Sequence, residues 1–400
     1  MRGASLYVHF PFCKSKCAYC GFFSIPNSTI ADDYLACVEN ESRYYAELYD
    51  IDYWRTIYLG GGTPSLMRAQ QIEHVVCALK STVCAKEPQE ITIEANPDSL
   101  TFDKLDAATA AGVSRLSLGV QSLSNGALKT ARRACSMSEC ITALDLARRN
   151  WRGDLCVDMI AGLPSQTQEE AKLSLEQILS FHPDHVSLYS LEIEAGTPFD
   201  TMIKQNKLRF DEDDAADEWL WQREILLASG FEHYEVSNFC RAGKVSLHNL
   251  SYWRQKDYVG VGAGAVGTIW TEDSADSLRW SNTRDVIKYM AFWSKKRRPS
   301  DTQQEELPRD VEAIDLKTRE IEFLMMGLRT NEGVSQDDYK RVFSSLPPWY
   351  GDLPVRLSPV VRKWGNGICN IKAVDGGNER WVLRGEAYLF LNRVLLDLMD

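Results

Sequence analysis

The first half of the chain alternates short β-rich runs with longer stretches of helical apolar spacing, and this restricts the fold more than any other feature. The β-rich runs occupy residues 6–9, 57–60, 91–94, 115–120, 157–160 and 185–191. Apolar residues recur at helical spacing through 34–48, 72–79 and 141–148. Strands separated by helices pair in parallel through right-handed crossovers. Six such units predict an α/β fold, a partial (β/α)6 barrel of TIM type over residues 1–210. In such barrels the chemistry gathers at the carboxyl ends of the strands, where the loops converge. The unusual residues fall there. Three cysteines follow the first run, residues 60–64 follow the second, and Glu94 ends the third. Gln121 ends the fourth, Asp158 lies in the fifth and Tyr189 late in the sixth.

Beyond residue 210 the texture changes. Residues 211–229 read as a helix with an acidic start, and 238–267, rich in Gly, Asn and aromatics, read as functional loops. We therefore expect an accessory region over 211–298. Residues 299–313, with Pro299, Glu305, Glu306 and Pro308, read as a linker. The remainder, 314–400, suggests short helices, a hairpin near 369–383 and a closing helix, an order that suits a small winged-helix-like domain.

A net charge of −11 argues against generic nucleic-acid binding. The one basic cluster, Lys295, Lys296, Arg297 and Arg298, is followed closely by acidic residues and reads as solvated. No apolar run reaches the length of a membrane span. The first residues lack the layout of a secretory signal, so a cytoplasmic protein is expected, with its eleven cysteines mostly reduced.

The strongest local signal is Cys13-Lys14-Ser15-Lys16-Cys17-Ala18-Tyr19-Cys20. Thiolates are the usual protein ligands of iron–sulfur clusters. Three of them on one short loop can hold three irons of a cubane and leave the fourth open. A zinc site is the alternative, but structural zinc takes four ligands, usually from two Cys-x-x-Cys units. His9 is the one residue at hand for a fourth ligand. Cys37, Cys77, Cys84, Cys135, Cys140, Cys156, Cys240 and Cys369 have no metal-like spacing. The glycines at 60–62 are not a phosphate loop, because no Gly-Lys-Ser/Thr follows.

Several segments together resemble the HemN/HemW family of radical S-adenosylmethionine proteins. They are Leu6-Tyr7-Val8-His9-Phe10-Pro11-Phe12-Cys13, the cysteine trio, Leu59-Gly60-Gly61-Gly62-Thr63-Pro64 and Ile93-Glu94-Ala95-Asn96-Pro97. The series continues through Leu118-Gly119-Val120-Gln121-Ser122 and Val157-Asp158-Met159-Ile160-Ala161-Gly162-Leu163-Pro164. The resemblance implies a radical S-adenosylmethionine barrel, a [4Fe–4S] cluster on Cys13, Cys17 and Cys20, and S-adenosylmethionine on its open iron. It also implies that Tyr7, Gly61, Gly62, Thr63, Glu94, Gln121, Arg133 and Asp158 contact S-adenosylmethionine. Alone, Glu94 or Gln121 would read as a solvated loop residue, and Arg133 as a surface residue that Arg132 could replace. The family's Gly-Arg-x-His is here Arg132-Arg133-Ala134-Cys135, a departure at this point.

One branch of the family is the oxygen-independent coproporphyrinogen III dehydrogenase; the other is HemW, a haem-binding chaperone. The dehydrogenase resemblance would require a cysteine two places after the third, where Phe22 stands, and a longer segment before the cluster loop. His248-Asn249-Leu250-Ser251-Tyr252-Trp253 resembles the His-Asn-x-x-Tyr-Trp motif of HemW. The resemblance thus implies haem as cargo, acceptor proteins, an electron donor for the cluster and a possible homodimer. A neutral imidazole is a common axial ligand to haem iron, which makes His248 the candidate ligand and His233 a second one. The bland alternative is that His248 and Asn249 fix a turn. No side chain is assigned a catalytic role.

Overall fold

The computed structural model describes residues 1–400 apart from 28, 271–276, 303–305, 344–351, 365–368, 375–377, 384 and 400. The strands of the main sheet are β1 (Gly3–Phe10), β2 (Tyr53–Gly61), β3 (Glu90–Ala95), β4 (Arg115–Gln121), β5 (Asp154–Ala161) and β6 (His185–Ser190). They continue with β7 (Glu232–Glu235), β8 (Asn238–Cys240), β9 (Tyr258–Val261), β10 (Val266–Ile269), β11 (Ser277–Asn282) and β12 (Arg309–Ile314). Their order across the sheet is β12-β11-β10-β9-β1-β2-β3-β4-β5-β6-β8-β7. The strands from β9 through β6 are mutually parallel, and those at either end are antiparallel. The end strands β12 and β7 are not neighbours in the sheet, so the barrel stays open.

The parallel strands are continuous buried runs because both of their faces are covered. Seven of the eight residues of β1, and six of the seven of β4, are buried. The intervening helices start where the sequence supplies caps. Ser136 and Thr167 each accept a hydrogen bond from the N3 backbone, and Glu139 and Glu170 complete the capping boxes. Asp211 caps the helix Glu212–Ala228. Fully buried Trp54, Trp280, Trp293, Tyr34 and Tyr45 fill the core on the β9–β12 side.

Two expectations need correcting. The six expected parallel strands are all present, and β9, inside the segment read as loops, adds a seventh alongside β1. Residues 309–313 of the expected linker belong to β12, hydrogen-bonded along all of β11. The expected accessory region is therefore continuous with the barrel sheet. Glu41 fastens the two regions together: its buried carboxyl accepts from the Gly262 N–H at 2.8 Å, Asn282 Nδ2 at 2.6 Å and Tyr289 Oη at 2.6 Å. Burial pushes this carboxyl up to about 7 despite those donors.

Residues beyond 315 follow the order helix Leu316–Gly327, strand Val334–Ser335, helices Gln336–Phe343 and Leu353–Trp364, then the hairpin Cys369–Val374 with Asn378–Leu383. The closing helix is Leu391–Met399. The three strands form a separate antiparallel sheet, as in a winged helix. This unit is tied to the barrel by Val236 N–H to the Arg329 carbonyl at 3.0 Å and Asn331 N–H to the Tyr234 carbonyl at 2.9 Å. No helix among the described residues is long and apolar enough to cross a membrane.

Candidate functional site

The cysteine loop leaves β1 at the carboxyl-terminal mouth of the barrel, and its partners come from the neighbouring strand ends. Gly61, with φ of 106°, and Gly62 carry β2 against the start of the loop. A Cβ on Gly62 would stand 2.5 Å from the Phe12 carbonyl oxygen, so only glycine allows this approach. The next residue, Thr63, brings its hydroxyl to 3.7 Å from Cys13 Sγ. Asn96, just past β3, donates to Thr63 Oγ1 at 3.0 Å and accepts from Arg133 Nη2 at 3.1 Å. Arg133 Nη1 reaches Cys17 Sγ at 3.5 Å. A chain of hydrogen bonds thus runs from Cys13 to Cys17 through Thr63, Asn96 and Arg133. Arg132 is exposed while Arg133 turns inward, which separates the two arginines that the sequence left interchangeable.

Burial raises the Cys13 and Cys20 thiols above the ordinary range, and the charge of Cys17 adds to that shift in both. Among the described residues no three His, Cys, Asp or Glu side chains are gathered closely enough to hold a single ion. Thiolates on three separate irons of a cubane stand farther apart than the ligands of one ion, so this spacing is compatible with a cluster. Three mutually interacting thiols, with an inward guanidinium as counter-charge, fit a cluster by their donor chemistry. The Arg133 Nε is moreover buried without a partner.

The acidic residues lie on adjacent strands behind the loop. Glu94 accepts from the Tyr58 hydroxyl at 2.7 Å and from the Gly61 N–H at 3.0 Å. Its burial, aided by the nearby Asp158 carboxylate, pushes it up to about 7. Asp158 accepts from Ser117 Oγ at 3.1 and 3.0 Å, and burial raises it as well. Gln121 has φ of 69° at a register shift between β4 and β5. A non-glycine residue in the left-handed region is strained and persists where its surroundings hold it. Tyr7, on β1, donates to His9 Nδ1 at 3.0 Å, because His9 Nε2 donates to the Phe23 carbonyl at 2.9 Å.

A cavity of about 510 Å³ opens beside this loop. Its walls include Phe22 and Phe23 from just after Cys20, Tyr252 and Trp253 from the helix Leu247–Trp253, and Trp270. Arg284 also lines it, as do Met326 and Arg329 from the carboxyl-terminal unit. Arg329 lies over the Trp253 ring at 5.6 Å, and its Nε is buried without a partner. The sequence reading named Tyr252 and Trp253 but missed Trp270, Arg284 and the place of Met326 and Arg329 in the cavity wall. It also missed Asn96 as the link between the cysteines, although Asn96 stood inside a quoted motif.

His248 lies outside that cavity's lining. Its ring is buried, with Nδ1 2.7 Å from Thr56 Oγ1 and Nε2 2.8 Å from Tyr252 Oη. Burial drives its imidazole down to about 3, so it stays neutral. The imidazole expected as the axial ligand thus has both ring nitrogens engaged by neighbouring hydroxyls. His233, the second candidate, stacks on Phe239 with ring centres 4.3 Å apart and is likewise lowered by burial, to about 4.

The model of the Radical SAM superfamily matches residues 7–178. "Heme chaperone HemW" of Lactococcus lactis is 32% identical over 356 residues, covering 88% of this chain and 89% of that protein. The chain belongs to the HemN/HemW family. A mouse protein, "Radical S-adenosyl methionine domain-containing protein 1, mitochondrial", is 33% identical over 86% of this chain and 77% of its own length. The solved structure of coproporphyrinogen III oxidase HemN of Escherichia coli shares the fold at a TM-score of 0.77. That match covers 99% of this chain and 90% of HemN at 22% identity. Membership in the superfamily implies a [4Fe–4S] cluster and S-adenosylmethionine.

Proposed function

We propose that this protein is a haem chaperone that binds haem in the aromatic cavity beside its cluster loop and passes it to acceptor proteins. The observation that carries the reading is that cavity. It combines flat aromatic walls with Arg284 and the partnerless Arg329 Nε, which suits a planar macrocycle carrying carboxylates. Its volume lies in the ordinary range for a ligand site. HemW of Lactococcus lactis, similar over most of its length, is by name a haem chaperone.

Cys13, Cys17 and Cys20 would hold the cluster, and a cluster with S-adenosylmethionine on its open iron supplies one-electron cleavage of the sulfonium. The backbone at Gly61 and Gly62 and the side chains of Tyr7, Thr63 and Gln121 would line the ligand's seat. Glu94 and Asp158 would accept hydrogen bonds from its ammonium and ribose hydroxyls. Arg133 would balance thiolate charge through Cys17 and present its free edge to the carboxylate. In this reading the protein works in the cytoplasm, takes electrons from a separate donor and acts as a monomer or homodimer.

Binding an ammonium requires Glu94 in its ionised form, and this carboxyl sits at about 7. S-adenosylmethionine affinity is therefore expected to rise as pH increases through that value, and Glu94→Gln is expected to flatten the rise. Equilibrium dialysis on either side of neutrality measures both; a flat wild-type profile counts against the contact.

The fold shared with HemN keeps a second reading in play, the oxidative decarboxylation of coproporphyrinogen III. Anaerobic incubation of the cluster-loaded protein with that substrate, S-adenosylmethionine and a reductant separates the two. We expect no decarboxylated product, together with saturable haem binding and haem transfer to an acceptor apoprotein. Sustained turnover would overturn the chaperone reading.

A further inference from the structure

His248 and Tyr252 sit four residues apart on one short helix, a spacing that places both side chains on the same face. They do not share an environment. Tyr252 lines the aromatic cavity, whereas His248 stands behind it, 1% exposed, with its Nε2 2.8 Å from the Tyr252 hydroxyl. The other side of the imidazole is closed by Thr56 Oγ1 on β2 at 2.7 Å. For His248 to reach a ligand in the cavity, Tyr252 would have to leave, and both hydrogen bonds would have to break inside the protein.

We propose that Tyr252 is the residue that ligates the iron of bound haem, and that His248 positions it by accepting the hydrogen bond of its hydroxyl. The assignment rests on the haem-binding reading above. On binding, the Tyr252 O–H bond breaks as the Fe–O bond forms, and its proton joins the hydroxide displaced from hydroxide-bound ferric haem, which leaves as water. His248 stays neutral throughout, its Nε2 facing the ligating oxygen and its Nδ1 held at Thr56 Oγ1. The iron enters and remains ferric, so no electron is needed. A tyrosine oxygen is an established kind of axial ligand to haem iron, and the hydrogen bond from the neighbouring group is the usual means of orienting and tuning it.

Two more phenols face the cavity. Tyr258 stands edge-on to Tyr252, ring centres 4.7 Å apart, and its hydroxyl accepts from Thr268 at 2.9 Å. Tyr7 is paired with His9 and packs toward Tyr58, which is held to Glu94. That orientation places Tyr7 with the S-adenosylmethionine residues. Tyr252 instead adjoins Trp253, the ring under Arg329.

The test is a titration of the full-length protein with ferric haem, followed by absorption and resonance Raman spectroscopy. Wild type is expected to give a phenolate-ligated ferric spectrum with phenolate vibrations. Tyr252→Phe, checked for native circular dichroism, is expected to lose those vibrations and to bind haem at least about tenfold more weakly. His248→Gln is expected to keep them while weakening binding by about tenfold. An imidazole-ligated wild-type spectrum that disappears in His248→Gln would overturn the assignment. So would phenolate bands that persist in Tyr252→Phe or that vanish in Tyr7→Phe instead. Should wild type bind no haem, the chaperone reading itself fails; haem binding with the wrong ligand defeats the ligand assignment alone.

Discussion

Cys17→Ala is expected to remove most of the iron and acid-labile sulfide from anaerobically reconstituted protein, and with it S-adenosylmethionine binding. Three thiolates on one loop are the whole expected ligand set, and Cys135, which also interacts with Arg133, is turned to Cys140, Sγ to Sγ 3.6 Å. The substitution also takes a counter-charge from Arg133, which keeps its Nη2 bonds to Asn96 Oδ1 and the Gly119 carbonyl. Its Nη1 now faces Cys17 Sγ at 3.5 Å, and its Nε already lacks a partner. A buried guanidinium that loses a neighbouring thiolate costs stability as well as cofactor. Thr63→Val, which removes only the hydroxyl 3.7 Å from Cys13 Sγ, is expected to weaken cluster retention by about 10–100-fold rather than abolish it. Iron and sulfide analysis across the two variants checks the order. Cys17→Ala protein carrying a full complement of iron would refute the cluster assignment.

What the sequence disclosed, and what it hid, follows from where each signal is stored. The parallel strands were legible because burial on both faces writes short runs without charged residues, such as Ile57-Tyr58-Leu59 and Leu118-Gly119-Val120. The cluster loop was legible because its ligands are local, three cysteines within eight residues. Strand β12 was hidden because an edge strand needs no apolar alternation: four of its six residues are exposed. Strand β9 was hidden because four residues are too few to show a period, and its place is chosen by its partner β1. Arg132 and Arg133 look alike as letters; only the φ of 54° at Arg132 decides which of them turns inward. The cavity was invisible because its walls come from distant segments, which no spacing rule relates. His248 shows both sides at once. Its motif announced that the position matters, while its hydrogen bonds with Thr56 and Tyr252, which define its part, depend on tertiary contacts.

Glu90→Ala is expected to destabilise the protein by about 3–5 kcal/mol, the usual consequence of removing one partner of a buried ion pair. Glu90 and Arg115 meet at 3.0 Å with side chains 6% and 4% exposed. The carboxylate also accepts from the backbone N–H groups of Leu247 at 3.1 Å and His248 at 2.9 Å. It therefore caps the helix Leu247–Trp253 from a neighbouring strand. A helix of seven residues is too short to persist alone in water, so this capping, with the Ser246 side chain, sets its position. Arg115 reinforces the arrangement by donating to the carbonyls of Lys244 at 3.1 Å and Val245 at 2.8 Å. Alanine at 90 would leave Arg115 with Asp154 at 3.2 Å as its remaining carboxylate and would orphan two helix N–H groups. Glu90→Gln retains acceptor oxygen and is expected to cost less, about 1.5–3 kcal/mol for the lost charge-assisted bond. Urea denaturation with an unchanged slope measures both variants. Because the same helix carries His248, Tyr252 and Trp253, Glu90→Ala protein that remains folded is also expected to bind haem more weakly than wild type. A loss of stability below about 0.5 kcal/mol, the level of an ordinary surface substitution, would mean that the helix is held by its side chains and not by the buried carboxylate beneath its first turn.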